Sequence, residues 1–162
     1  MFNFRTLLSQ LAALTVFATV SLAAHAEGVL QSTLTPCPAG GGGTNIGDVN
    51  ACGLSWTLDS GRAQLTSDGK IQVKVKGLLL NDPSRPDLLG STAGVTKVYA
   101  TLICGSNGNR AAVASTGLFS LSTAGDALIQ GKVALPADCV APAIVVRESD
   151  FPAQGWLAVT GF

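Results

Sequence analysis

The stretch Val95-Thr96-Lys97-Val98-Tyr99-Ala100-Thr101-Leu102-Ile103-Cys104 decides the fold of this 162-residue chain. It is rich in β-branched and aromatic residues, which fit the pleated surface of a sheet. An Asn107-Gly108 turn signal follows it closely. We therefore predict a central β-strand that ends at Cys104 and turns back into a second strand. A two-residue turn would pair Cys104 with Ala111 and Leu102 with Val113.

A second hairpin is predicted around Ser67-Asp68-Gly69, between the runs Arg62 to Thr66 and Lys70 to Lys76. Apolar and polar residues alternate in the later run, as in a strand with one buried face. A three-residue turn would place Gly69 in the left-handed conformation and pair Leu65 with Ile71. It would also pair Ala63 with Val73, so that each pair is apolar.

Thr123-Ala124-Gly125 gives the third turn signal, and it predicts that Phe119 and Leu121 face Ile129 and Ala127. Short strands joined by turn residues, without a helical period, indicate an all-β protein. We expect an antiparallel β-sandwich of immunoglobulin-like or Greek-key type with about eight or nine strands. Its strands include Val29 to Leu34, Leu54 to Leu58, Ala143 to Arg147 and Gly155 to Phe162.

Residues 1–26 have the features of a secretory signal peptide: Arg5, an apolar run from Leu7 to Ala24, and the small-x-small site Ala24-His25-Ala26. A transmembrane anchor is the alternative, because the run is long enough to span a bilayer. We divide the rest into a Gly-rich N-terminal segment, residues 27–53, and a β-sandwich domain, residues 54–162. The predicted location is the periplasm or the extracellular medium, with no membrane span after cleavage.

All four cysteines follow the predicted signal peptide, and an even number in an exported protein indicates two disulfides. Four cysteines allow three pairings. We favour Cys37–Cys52 and Cys104–Cys139, because each pair closes a modest loop and the first holds the Gly40-Gly41-Gly42-Gly43 run near the domain. Zinc sites use close Cys-x-x-Cys pairs or added histidine, and neither pattern is present.

Residues 27–162 contain no histidine, the usual general base near neutral pH. We therefore predict no enzymatic activity, no cofactor and no metal. Glu148 and Asp150 would project from the same face of a strand, as the paired carboxylates of glycosidases do, but a solvated strand end is the far commoner explanation of such a pair. The segment Asn45 to Asn50 offers oxygen ligands without the order of a calcium loop.

The sequence does not identify a ligand, and a binding or structural role for an unknown protein or glycan partner is our main hypothesis. The connection from Leu79 to Gly94 is long, and long loops often carry function. We expect contacts through its residues Asp82, Arg85 and Asp87, and through a surface patch at Tyr99 and Ile103. Nine basic and ten acidic residues follow the signal peptide, so nucleic acid is not an expected partner.

The alternative hypothesis is a subunit of an assembly or surface structure that exchanges strands with its neighbours. Unpaired strand edges can accept or donate a strand. The candidates in this sequence are Val29 to Leu34 and Trp156 to Phe162. A carboxylate-based hydrolase that uses Glu148 and Asp150 is the third hypothesis.

Overall fold

The structure, a computed structural model, describes residues 27–38, 43–105, 109–149 and 155–161. The predicted signal peptide and the Asn107-Gly108 turn therefore lie outside the described residues. Every element in the described ranges is a β-strand, and all strand pairs are antiparallel. The strands are β1 (Gly28–Pro36), β2 (Trp56–Thr57), β3 (Ser60–Thr66), β4 (Lys70–Lys76), β5 (Leu79–Leu80), β6 (Lys97–Cys104), β7 (Ala111–Ser115), β8 (Phe119–Ser120), β9 (Ala127–Lys132), β10 (Ala143–Glu148) and β11 (Trp156–Thr160).

Nine of these eleven strands form one sheet in the order β7-β6-β10-β11-β1-β3-β4-β9, with β8 paired to β6. The sheet curls into a half-barrel, while β2 and β5 form a separate pair. The prediction of an all-β antiparallel protein is thus confirmed. The structure has eleven strands instead of the eight or nine expected, and three of them, β2, β5 and β8, contain only two residues each.

Strand β1 joins the two halves of the sheet. Residues 28–33 pair with β3, and Leu34 to Pro36 pair with β11 on the other side. Strand β11 likewise pairs with both β10 and β1. Among the described residues, residues 28–33 pair on one side only, so strand exchange through this segment stays a prediction, whereas β11 lies inside the sheet. A strand at an interior position has its backbone groups paired on both sides.

The hairpin of β3 and β4 has the predicted register, with Leu65 opposite Ile71 and Ala63 opposite Val73. Gly69 has a φ of 82°, the left-handed conformation that the turn requires. A side chain at this position would also collide with the carbonyl oxygen of Val133. Local turn chemistry and inward-facing apolar pairs therefore determine this part of the sheet.

The predicted hairpin of Phe119 with Ile129 does not form. Gly125 has the expected left-handed φ of 77°, but β8 pairs with β6 and β9 pairs with β4. The predicted three-residue loop does close, because the Ser122 amide donates to the Asp126 carbonyl at 2.9 Å. Leu78 supports this turn by donating its amide to the Gly125 carbonyl at 2.9 Å. The sequence thus predicted the turn correctly, whereas the strands on either side, β8 and β9, pair with strands that are more distant in the sequence.

The pairing of β6 with β7 begins as predicted and then shifts. Cys104 lies opposite Ala111, but a bulge places Leu102 opposite Ala114 instead of Val113. Such irregularities insert an extra residue into one strand. Both predicted disulfides form, Cys37–Cys52 with a Cα–Cα distance of 6.1 Å and Cys104–Cys139 with 5.0 Å. The cysteine pairing is therefore confirmed.

One half of the sheet is buried on both faces. In β10 and β11, nearly every residue is buried, regardless of which face its side chain occupies. Part of this half contacts the segment 43–53, which we call the cover segment. Trp156 Nε1 donates to the Thr44 carbonyl at 3.1 Å, and the amide of Ala112 donates to Asp48 Oδ1 at 2.7 Å. Ile46 and Val49 of this segment are themselves buried.

Candidate functional site

The connection between β5 and β6 contains a loop of residues 81–94, which is folded tightly against β2 and β5. The amide of Leu80 donates to the Ser91 carbonyl at 2.8 Å, and the amide of Gly90 donates to the Leu80 carbonyl at 2.9 Å. Within the loop, Ser91 Oγ donates to the Leu88 carbonyl at 2.6 Å. Because the loop is hydrogen-bonded at several points, it holds its side chains in defined positions.

Asp82 anchors the start of this loop and is itself buried. Its carboxylate accepts hydrogen bonds from Ser84 Oγ at 2.7 Å, from the Ser84 amide at 2.9 Å and from the Ser55 amide at 3.0 Å. The Ser84 hydroxyl, followed by the two amides, lowers the Asp82 pKa to about 2, because these donors stabilise the ionised form. Asp82 was predicted as a contact residue, and the structure places it as the tie between the loop and Ser55.

A pocket of about 290 Å³ opens beneath the loop. Trp56 stands in its wall at β2, where it pairs with Leu80 of β5. Glu148, at the end of β10, contributes the only carboxylate among the described lining residues. The described lining residues are Leu54, Trp56, Arg85, Leu88, Ala93, Val95 and Glu148. The pocket therefore combines an apolar wall with one carboxylate, Glu148, and one guanidinium, Arg85.

Glu148 is only 2% exposed. The pairing of β10 with β6 explains this burial. Glu148 lies opposite Val98, and Val146, which points to the same face of β10, lies opposite Ala100. These neighbours are all buried residues of the core. The expectation of a solvated strand end is therefore wrong for Glu148, while Asp150 lies outside the described residues.

Arg85 stands at the rim of the pocket, with 47% of its side chain exposed. Its Nε lies 3.6 Å from Asp87 Oδ1, and Asp87 is more exposed than Arg85. An ion pair this open to solvent contributes little to stability. Of the three predicted loop residues, Arg85 lines the pocket, Asp87 pairs with it from the solvent side, and Asp82 lies at the base of the loop.

The predicted surface patch at Tyr99 and Ile103 does not exist as such. Ile103 is completely buried, and the cover segment is hydrogen-bonded to Ala112, which lies opposite Ile103 in the ladder. Tyr99 is half-buried, and the Arg147 guanidinium stands 5.5 Å from the centre of its ring. Such a cation–π contact stabilises the arginine on this face. Sequence reasoning missed the cover segment because it contains few apolar residues.

The two tryptophans have different surroundings, which the sequence did not distinguish. Trp156 packs under Gly43 and Cys52 of the cover segment and donates its indole hydrogen to Thr44. It is a core residue. Trp56 is also largely buried, but it lines the pocket beside Glu148. Trp56 is therefore the tryptophan that a ligand in this pocket would contact.

The oxygen-rich segment 45–50 forms a turn instead of a ligand cage. Ile46 and Val49 exchange two backbone hydrogen bonds across it. Asn45 Oδ1 accepts from the Ala51 amide at 2.8 Å, and Asp48 Oδ1 accepts from Ala112. These side-chain oxygens hold the turn together and fix it to β7, as is common for Asn and Asp in loops.

Comparison with known proteins gives no match: no family model, no curated protein and no solved structure resembles this chain. The two disulfides indicate that the protein folds in an oxidising, exported compartment. Within the described residues there is no helix of the length and apolarity needed to cross a membrane.

Proposed function

We propose that this protein is an exported binding protein that holds a small carbohydrate in the pocket beneath the loop 81–94. The observation that carries the proposal is a buried carboxylate, Glu148, in the wall of a mostly apolar pocket that contains Trp56. Binding pockets are concave, mostly apolar and equipped with a few polar groups that orient the ligand. At about 290 Å³, this pocket suits a ligand of one or two sugar units.

The three polar or aromatic groups have complementary roles in this proposal. The Trp56 ring offers an apolar surface to the C–H face of a sugar. The Glu148 carboxylate accepts hydrogen bonds from sugar hydroxyls, and the Arg85 guanidinium donates to ring or hydroxyl oxygens. Hydrogen bonds to charged groups contribute about 1.5–3 kcal/mol each. Two such groups in the lining of one pocket would give the ligand a defined orientation.

We infer that the protein binds its ligand without transforming it. Glycosidases use a pair of carboxylates on either side of the scissile bond, and Glu148 is the only carboxylate among the described residues that line the pocket. Residues 27–162 also lack histidine. Residues 1–26 would act as the signal peptide, and the mature protein would reside in the periplasm or the extracellular medium.

We further infer that the curled sheet folds over into a sandwich of two layers. One layer would contain β7, β6, β10 and β11, the other β3, β4 and β9, and β1 would pass from one layer to the other. Its two sets of partners support this arrangement. The immunoglobulin-like or Greek-key assignment belongs to the same proposal.

The test is saturation-transfer NMR with a panel of neutral mono- and disaccharides on the oxidised protein. We expect at least one sugar to receive magnetisation, and Glu148→Gln and Arg85→Gln each to lower its affinity about tenfold or more, as expected for a lost charged hydrogen bond. Because Arg85 is at the rim, its substitution leaves the fold intact. Asp138→Asn, a change at an exposed carboxylate, is the matched control.

The proposal fails if no sugar in the panel binds. It also fails if Arg85→Gln and Asp138→Asn have the same affinity as the unaltered protein. Near-ultraviolet circular dichroism of each variant separates a lost contact from a lost fold.

A further inference from the structure

The exposed face of β3, β4 and β9, with the first part of β1, carries polar side chains in straight rows across the strands. One row consists entirely of glutamines, each opposite the next in the ladder and all exposed: Gln31, Gln64, Gln72 and Gln130. Neighbouring strands lie about 4.8 Å apart, so this row spans about 14 Å. It presents a regular series of amide donors and acceptors to solvent.

The next row places two positive charges opposite each other. Arg62 of β3 pairs with Lys74 of β4, and Lys76 follows on the same face. We call these three residues the cation cluster. Together with Ser60 and Gly61 they line a groove of about 410 Å³. The glutamine row and the cation cluster are neighbours, because Gln64 and Gln72 lie one alternation further along β3 and β4.

The cation cluster reduces the stability of the fold unless an anion is present, since like charges directly opposite each other in a sheet repel. Lys70 and Lys132, at the far end of the same face, each pair with Asp68, at 3.0 and 3.7 Å. Within the described residues, no such ion pair joins a carboxylate to Arg62, Lys74 or Lys76.

Asp126 is the carboxylate that shares a neighbouring groove with Lys74 and Lys76. Its Oδ1 accepts a hydrogen bond from the Gly77 amide at 3.0 Å, which holds it at the turn after β4. The cluster thus keeps positive charge available at this end of the face, where no packing requirement explains it.

We propose that this face binds an acidic polysaccharide, separately from the pocket beneath the loop 81–94. Carboxylate groups of the polymer would lie on the cation cluster, and its hydroxyls would bond to the glutamine row, which can both donate and accept. The face fits this class of polymer better than nucleic acid, because the residues of both rows include no aromatic side chain on which a base could stack.

The experiment measures binding of the oxidised, full-length mature protein to polygalacturonate by affinity electrophoresis and isothermal titration calorimetry. Dextran, a neutral polymer, is the reference. We expect polygalacturonate to bind and dextran not to, with an affinity that falls as salt is raised from 50 to 300 mM, since salt screens exposed charges. Arg62→Gln and Lys74→Gln should each weaken binding several-fold, and the double variant about tenfold or more.

Lys97→Gln is the matched control, because it removes the same charge from β6. It should leave the affinity unchanged, and Lys74→Gln should not lower the melting temperature, since it relieves the repulsion with Arg62. The proposal is overturned if dextran binds as well as polygalacturonate, or if Lys97→Gln weakens binding as much as Lys74→Gln. Equal binding of single-stranded DNA or of anionic lipid vesicles, at the same charge concentration, would also overturn it.

Discussion

Ile103 provides the sharpest test of the structure, because the sequence predicts an exposed side chain and the structure buries it completely. Its neighbours in the ladder are Ala112 on one side and Ala143 on the other. Neither alanine is long enough to fill the space that a shortened residue 103 would leave. Ile-to-Ala substitutions in cores cost about 2–5 kcal/mol, and the cost rises with the cavity that remains.

We therefore expect Ile103→Ala to lower the free energy of unfolding by about 3–4 kcal/mol, and Ile103→Val by about 0.5–1.5 kcal/mol. The assay is urea unfolding of the oxidised protein, followed by tryptophan fluorescence and analysed at constant m value. Leu128→Ala is the control, since Leu128 is 48% exposed on β9. That substitution should cost less than about 1 kcal/mol.

A loss below about 1 kcal/mol for Ile103→Ala would refute the burial of this face. The same conclusion would follow if Ile103→Ala and Leu128→Ala had equal effects. Either result would mean that the side chain of Ile103 is not packed in the core in solution.

Two further predictions concern β1 and the loop anchor. Deletion of residues 28–36 should abolish cooperative thermal unfolding measured by circular dichroism, because β3 and β11 would both lose a partner; a retained sharp transition would contradict the role of β1. The lowered pKa of Asp82, about 2, means that its stabilising contribution is complete above pH 4 and is lost as the pH falls through 2. Between pH 5 and pH 2, the free energy of unfolding of the unaltered protein should therefore fall more than that of Asp82→Asn, as measured by urea titrations at the two pH values. Equal decreases for the two proteins would show that the Asp82 anchor does not stabilise the fold.

The sequence predicted the features that depend on neighbouring residues. The register of Leu65 with Ile71 follows from a three-residue turn and an alternating pattern, and both lie within a dozen residues. The two disulfides follow from the preference for short loops. The partners of β8 and β9 could not be predicted in this way, because their ladders join strands that are far apart in the sequence.

The candidate site was predicted only in part. The long loop drew attention to Arg85, and the spacing of acidic residues drew attention to Glu148. Nothing local indicated that these two residues line one pocket, because β10 and the loop 81–94 are brought together only by the complete sheet. The cation cluster was missed for a different reason: the predicted pairing of Ala63 with Val73 already places Arg62 opposite Lys74, but the two residues do not form a run of basic residues in the sequence.

The position of β1 has a consequence for the order in which the chain can fold. Its later residues pair with β11, the last strand described, so the pairing of Thr35 with Val159 cannot form until Val159 has been synthesised. A chain that emerges from its amino end can close the hairpin of β3 and β4 early, since that contact is local. The two halves of the sheet, however, can join only after nearly the whole polypeptide has appeared. Until then β11 is absent and one side of β1 is open, which makes newly emerged chains vulnerable to association with one another.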